Sequence, residues 1–287
     1  MNPAVDTATP RDPTRRSDLG TVTIHGARGS FPVSGQAFQR YGGCTSCFSL
    51  ETPHGLLIVD AGTGLAALGD ELAQRAALPP ITILLTHLHL DHVIGIPTFK
   101  PLARRDARVT FMADAACLGD WQSALKRLIA KPFWPVDLEV FGATVEQHDL
   151  PTGGFERYSI AISSCPVRHP QGCVSYRLDY AGRAIVIATD REAGDPTMDA
   201  TFLAWCRGAD VLIHDGQYTP QESADRRGWG HSTWEQAARA AAAAGVGQLV
   251  LVSHDPRRTD AQVDALIEQT RRLFAMTVGG AERMVVR

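Results

Sequence analysis

The sequence predicts a mixed α/β fold, one domain of two sheets flanked by helices. Three observations carry that reading. Short β-branched apolar runs recur from residue 21 onward. Helix-periodic stretches interleave with them. Several of the apolar runs end in a polar, metal-competent residue, as strands do where loops on a rigid sheet build a site.

The expected strands are Thr21 to Ile24, Cys47 to Glu51, Leu56 to Val59, Ile81 to Leu85 and Val109 to Met112, then Ile160 to Ser163, Val174 to Leu178, Ala184 to Ala188, Val211 to Ile213 and Leu249 to Val252. Each is short, apolar and bounded by turn residues. The expected helices begin with Leu65 to Ala77, which stops before Pro79-Pro80, and Ala115 to Ala130, which is amphipathic. Thr233 to Ala244 follows a capping box, with Ser232 as N-cap and Glu235 three positions on, and Gly245 stops it. Ala261 to Met276 is the last. Residues 114–150 break the strand rhythm with Trp121, Lys126, Lys131, Phe133, Trp134 and several prolines. They read either as a cap over a site or as an ordinary packed excursion.

The chain has 287 residues, 44 % of them hydrophobic, enough for one large core or two small ones. Its net charge of −3 supplies no global field for nucleic acid. No apolar run reaches the length of a membrane span. Met1 to Leu19 is rich in Pro, Asp, Thr and Arg and has no apolar core, so it reads as a disordered tail (residues 1–19) ahead of a single domain, residues 20–287. Six cysteines in this length do not make a disulfide scaffold, and a reducing cytoplasm is expected. Cys44-Thr45-Ser46-Cys47 is a lone CxxC running into a strand, and it reads as two small packed thiols.

Residues 86 to 92 read Thr-His-Leu-His-Leu-Asp-His directly after the run Ile81 to Leu85. His87, His89, Asp91 and His92 are thus strong ligands in one short loop. At a strand end, residues two apart can converge, as they cannot on a helix. Imidazoles with a carboxylate suit a borderline divalent ion such as zinc. The runs ending at Ala188, Ile213 and Val252 lead to Thr189-Asp190, His214-Asp215 and Ser253-His254, and His169 stands in Val167-Arg168-His169-Pro170. His25, His54 and His148 have no ligand spacing and read as surface or packed residues. His214 reads as a structural hydrogen-bonding group. Arg168 and Arg191 each stand beside a candidate ligand; either could pair with a substrate anion, and an ordinary salt bridge is the favoured reading for both.

Thr-His-x-His-x-Asp-His, followed by His169, Asp190 and His254, resembles the metallo-β-lactamase superfamily across nearly all of residues 20–287. Gly26-Ala27-Arg28-Gly29-Ser30, Asp60-Ala61-Gly62-Thr63-Gly64, His214-Asp215 and Gly230-His231-Ser232-Thr233 are similar to its ribonuclease Z and cyclic-phosphodiesterase-like branch. The resemblance implies a four-layer αβ/βα sandwich with the site at one edge between the sheets. It implies two divalent ions, Zn²⁺ first with Mn²⁺ or Fe²⁺ compatible. One would be held by His87, His89 and His169, the other by Asp91, His92 and His254, with Asp190 bridging. Such a pair, roughly 3.5–4 Å apart, holds a bridging hydroxide. Asp91 could also orient that nucleophile or accept its proton. Asp60 is expected to fix a ligand or loop by hydrogen bonding.

In that branch the histidine matching His231 faces substrate and is partnered by an acid after the penultimate strand, here Asp215, where the branch often has glutamate. The pair could stabilise phosphorane charge or protonate a leaving alkoxide. The expected activity is metal-dependent hydrolysis of cyclic nucleotides or other small phosphodiesters. Nucleic acid is disfavoured as substrate, because no long basic Gly/Pro-rich arm is visible. The alternative is a lactonase, thioesterase or β-lactamase-like hydrolase of carbonyl substrates, with Tyr218 near the site in sequence. An iron redox enzyme of the same fold ranks below both. No membrane partner is expected, and the branch suggests a homodimer.

Overall fold

A computed structural model describes residues 20–287; the expected N-terminal tail lies outside the described residues. The first sheet takes its strands from the first half of the chain. They are β1 (Val22–Gly26), β2 (Cys47–Thr52), β3 (Gly55–Val59), β4 (Ile81–Leu84), β5 (Arg108–Ala113) and β6 (Thr144–Asp149). The second sheet is β7 (Phe155–Arg157), β8 (Ile160–Val167), β9 (Cys173–Tyr180), β10 (Arg183–Ala188), β11 (Val211–Asp215), β12 (Gln248–Val252) and β13 (Thr277–Gly279). β14 (Val285–Val286) returns to pair with β1, so the sheets run β14-β1-β2-β3-β4-β5-β6 and β13-β12-β11-β10-β9-β8-β7.

The two sheets pack face to face. Ile24, Phe48, Leu57 and Val59 of the first meet Ile162, Tyr176, Ile187 and Val250 of the second in one buried cluster. Helices cover the outer faces. On the first sheet α1 (Gly64–Ala73) buries Leu65, Leu68 and Leu72, the stripe its helical spacing sets. On the second, α5 (Pro196–Cys206), α7 (Trp234–Ala244) and α8 (Asp260–Arg271) bury Phe202, Ala237, Ala241, Val263 and Ile267. The alanines of α7 let its backbone lie close to β11 and β12. The result is the four-layer sandwich the sequence implies. No helix of the described residues is long and apolar enough to cross a membrane.

Several local expectations need correction. The stretch 115–130 is two helices, α3 (Ala115–Leu118) and α4 (Trp121–Leu128), broken at Gly119, whose φ is 63°. Asp114 and Asp120 cap the two pieces. The cap of α7 is Thr233 with Gln236, one residue later than expected, and the Ser232 hydroxyl donates to the Arg191 carbonyl instead. Both registers place a hydroxyl three positions before Glu or Gln, so the pattern fits either. The segment 114–150 is a packed excursion. Trp121 and Leu125 join the buried cluster behind the first sheet, and the Trp121 indole donates to Asp149 at 2.8 Å.

What positions the site is strand direction. β3, β4 and β5 are parallel, as are β10, β11 and β12, and β8 runs the same way as β10 because both are antiparallel to β9. Their C-terminal ends therefore gather along one edge, where Asp60, the 86–92 loop, His169, Asp190, Asp215 and Ser253 follow.

Candidate metal centre

The loop after β4 carries His87 and His89, then turns into α2 (Leu90–Val93), which carries Asp91 and His92. The turn is tight against Gly62, where a Cβ would stand 2.2 Å from the Asp91 carbonyl. Rings of His87, His89, His92 and His169 cluster, with neighbouring centroids 4.1 to 4.8 Å apart. Asp190, 2 % exposed, reaches into this cluster: its Oδ2 is 3.4 Å from His92 Nε2, 3.7 Å from His87 Nε2 and 3.8 Å from His169 Nε2. Asp91 Oδ2 lies 3.3 Å from His92 Nε2 and accepts from the Ser30 backbone N–H at 2.7 Å.

Hydrogen bonds around the cluster set each ring's tautomer. His92 Nδ1 donates to Asp60 at 2.7 Å. His89 Nε2 donates to Gln171 Oε1 at 3.2 Å, and His169 Nδ1 donates to the Gly230 carbonyl at 2.8 Å. The Thr86 hydroxyl donates to Asp60, so its oxygen is left to accept from His87 Nδ1 at 3.0 Å. Each ring thus spends its proton outward and turns a lone pair inward. His169 Nε2 and His89 Nδ1 stand 3.0 Å apart, two acceptors facing each other. His87 Nε2 and His92 Nε2 are buried with no hydrogen-bond partner. Buried polar atoms are normally paired, so this orphaning is what a cation would relieve. The donors fall into two sets, His87–His89–His169 and His87–His92–Asp190.

Burial holds His87 well below the ordinary imidazole pKa, and burial likewise lowers His169. Burial opposes ionisation of Asp190, but His92, His231 and His87 outweigh it and keep its carboxyl well below the usual range. Neutral imidazoles at His87 and His169 and an ionised carboxylate at Asp190 are the forms a divalent ion binds. At His92, burial is outweighed by Asp91, Asp60 and Asp190, which raise it well above the ordinary imidazole value, so an ion binding there displaces its proton.

His254 is not brought to this cluster, contrary to expectation. Its Nε2 donates to the Gly280 carbonyl at 2.9 Å, and its ring stands edge-on to Tyr41 at 5.2 Å. The residue before it turns inward instead: Ser253 Oγ donates to the Thr189 carbonyl at 2.7 Å and lies 3.3 Å from Asp190 Oδ1. Ser253 has a left-handed backbone, φ 55°, just past the end of β12, and this turn sends its side chain to the site and that of His254 away from it.

Beside the cluster, His231 Nδ1 donates to Asp215 Oδ2 at 3.0 Å, so the aspartate's shorter arm does span the gap. Asp215 is fully buried and also accepts from the backbone N–H of Gln217 and Ser232. Burial raises Asp215 to about 6. Burial works against protonating His231, yet Asp215, Asp190 and Asp91 together push it up to about 9. At neutral pH the pair is imidazolium and carboxylate.

His231, His89, Asp91, His169 and Asp190 line one cavity of about 670 Å³. Its outer wall holds Tyr218, Arg226 and Trp229. Arg226 stacks on both rings, 4.8 Å from Tyr218 and 6.0 Å from Trp229. The Glu192 carboxylate fixes this loop by accepting from Gly228 and Gly230 N–H at 2.9 and 2.8 Å. At Gly230, φ is 88° and a Cβ would stand 2.1 Å from His169 Nδ1, so only glycine serves.

Sequence reasoning missed Gln171, Glu192, Ser253 and the Gly230 carbonyl, which act on ligands from distant loops and carry no spacing signal. Asp60 stands as expected, buried under His92. His214 Nδ1 donates to the Asp215 carbonyl at 2.6 Å, and His25 Nε2 meets Ser49 Oγ at 2.8 Å. Arg191 pairs with Asp199, and Arg168 with Glu192 at 3.3 Å. Cys44 and Cys47 are free thiols, both raised by burial.

A two-sheet sandwich with an edge cluster of inward-facing imidazoles and carboxylates defines a metal-dependent hydrolase. The profile of the family described as "Beta-lactamase superfamily domain" matches residues 56–254, and the chain belongs to that superfamily. Ribonuclease Z of Bradyrhizobium sp. (strain ORS 278) is 27 % identical, over 77 % of this chain and 86 % of its own. The metallo-beta-lactamase fold protein YhfI of Bacillus subtilis superposes with a TM-score of 0.71 at 19 % identity, covering 93 % of this chain and 99 % of its own. The short form of human tRNase Z gives 0.66 at 18 % identity, covering 93 % and 98 %.

Proposed function

We propose that the chain is a phosphodiesterase acting on small phosphodiesters, cyclic nucleotides among them, with two divalent cations. The observation that carries this is the His231–Asp215 pair, 3.0 Å apart, set in the same cavity as the imidazole cluster. His87, His89, His169 and Asp190 would hold one ion, and Asp91, His92 and Asp190 the other. When bound, such ions acidify a water and polarise a phosphoryl oxygen. Zinc suits the imidazole-rich set; manganese and iron are compatible.

The protein's own groups then have separate tasks. Asp91, fixed by the Ser30 N–H, orients the attacking water and takes its proton. His231, charged at neutral pH, gives a proton to the departing alkoxide, and Asp215 keeps the imidazolium in place. Arg226 meets the substrate anion: its Nη1 is buried without a hydrogen-bond partner, and Asp255 Oδ2 is 3.8 Å away. Trp229, 61 % exposed on the cavity rim, offers a face for a planar base. A cavity of about 670 Å³ suits a small diester, and the net charge of −3 does not favour an RNA chain.

The Ribonuclease Z relative supports phosphodiester chemistry, and a panel should separate substrates. Bis-aryl phosphate, cyclic AMP, cyclic GMP and pre-tRNA would each be offered with zinc or manganese. Absence of metal-dependent turnover of every diester would end this reading. A carbonyl-substrate hydrolase is the second reading, because Tyr218 lines the cavity with its ring 5.5 Å from His231. It wins if lactone hydrolysis exceeds diester hydrolysis and survives His231→Ala. The working form is proposed as a cytoplasmic homodimer. Six free cysteines fit a reducing compartment, and sedimentation would test the dimer.

A further inference from the structure

Ser253 and His254 follow β12 as neighbours with opposite assignments. Ser253 adopts a left-handed backbone, φ 55°, which aims its hydroxyl at Thr189 and Asp190. His254 is locked on the far side. Its N–H donates to the Ala27 carbonyl at 3.0 Å, its own carbonyl accepts from Gly29 at 3.1 Å, and its ring donates to Gly280. Rotating that ring inward would abandon a buried hydrogen bond and the contact with Tyr41.

The cluster is therefore lopsided. One end offers three imidazoles, His87, His89 and His169, with Asp190 beside them. The other offers one imidazole of its own, His92, between the carboxylates of Asp91 and Asp190. A neutral serine hydroxyl stands next to it. Imidazole and thiolate are preferred zinc donors and a neutral alcohol is not, whereas carboxylate and water suit manganese and magnesium.

The geometry points to two unequal cation positions: a nitrogen-rich one that retains zinc, and an oxygen-rich one at Asp91–His92–Asp190 that exchanges its ion and accepts manganese or magnesium. His254 is a structural residue that ties β12 to the 27–29 segment and takes no ion. This rests on the proposed metal function of the cluster, but its readout is ion binding and needs no turnover.

The test is a metal count by plasma mass spectrometry with a chelator-competition titration on the full chain. One zinc should survive gel filtration. The second ion should require at least about 10-fold more free zinc, since losing a ligand costs no less than losing a ligand's supporting partner. Manganese should fill that position without displacing the first zinc. Ser253→His should bring the two affinities together. His254→Gln, which keeps a donor for Gly280, should leave both unchanged while circular dichroism reports the native fold. Two zinc ions retained with equal affinity would overturn the inference, and so would loss of an ion in a folded H254Q. If S253H does not fold, wild type against H254Q decides. No bound ion at all would instead defeat the proposed function.

Discussion

Asp60→Asn tests the support beneath the cluster. Asp60 is completely buried, and its Oδ1 accepts from Thr86 N–H at 2.9 Å and the Thr86 hydroxyl at 2.8 Å. Its Oδ2 accepts from His92 Nδ1 at 2.7 Å and Ser46 Oγ at 3.1 Å. Asparagine has the same shape and tolerates the left-handed φ of 61° found here, so the backbone should persist. The amide, however, has one acceptor where the carboxylate has two. If its NH₂ faces His92, Nδ1 must become an acceptor and the ring proton moves to Nε2. That atom is the one turned toward Asp190, so the ring can no longer offer a lone pair inward. If the amide flips, the NH₂ meets the Thr86 N–H and leaves a buried donor unpaired. The second outcome costs about 1–3 kcal/mol of stability. The first costs roughly 10–100-fold in ion affinity, as for other ligand-orienting partners, which is about 1.4–2.7 kcal/mol. Chelator competition measures the affinity and urea unfolding of the ion-free protein measures the stability. If D60N equals wild type in both, the tautomer argument is wrong.

Other outcomes follow from the same geometry. His231→Ala should lower kcat on diesters by about 10²–10⁴-fold, the usual worth of a general acid, with ion content unchanged. Trp229→Ala should raise KM for a cyclic nucleotide, by an amount matching the loss of about 1–3 kcal/mol of base stacking, with little change in kcat or in KM for a non-aromatic diester. Phe48→Ala, at the interface between the sheets, should cost about 3–5 kcal/mol in urea unfolding. Burial depresses His25 to about 4, so the unfolded chain binds its proton first as pH falls. Its contribution is intact above about 6.5 and is lost progressively down to about 4, a fall of roughly 3 kcal/mol. His25→Gln should flatten that part of the stability profile, and an unchanged slope would contradict it.

The core strands were legible because burial on both faces writes them as continuous β-branched runs, as in Ile185-Val186-Ile187. The strands at the margins were not. β6 is polar and largely exposed along its length, β7 has three residues and β14 two, and each owes its conformation to a neighbour. α5 went unread although Asp195 and Pro196 mark its start, because its buried face is thin. At the site, the close spacing of residues 87 to 92 announced itself. Asp190 and Asp215 are legible through the strands they terminate, and His169 through the resemblance, because the strand before it is longer than its apolar run. Ser253 and His254 could not be sorted, since which neighbour faces inward depends on one left-handed residue at the strand end.

The imidazole cluster draws on both sheets: His87, His89 and His92 come from the first, His169 and Asp190 from the second. Only the exposed turn at 150–154 and the returning C-terminal strand join those halves covalently on that side. A cation lodged there acts as a rivet. Chelation should loosen the seam between the sheets before either sheet frays, and a chain nicked in that turn should need the ion to hold its two fragments in register.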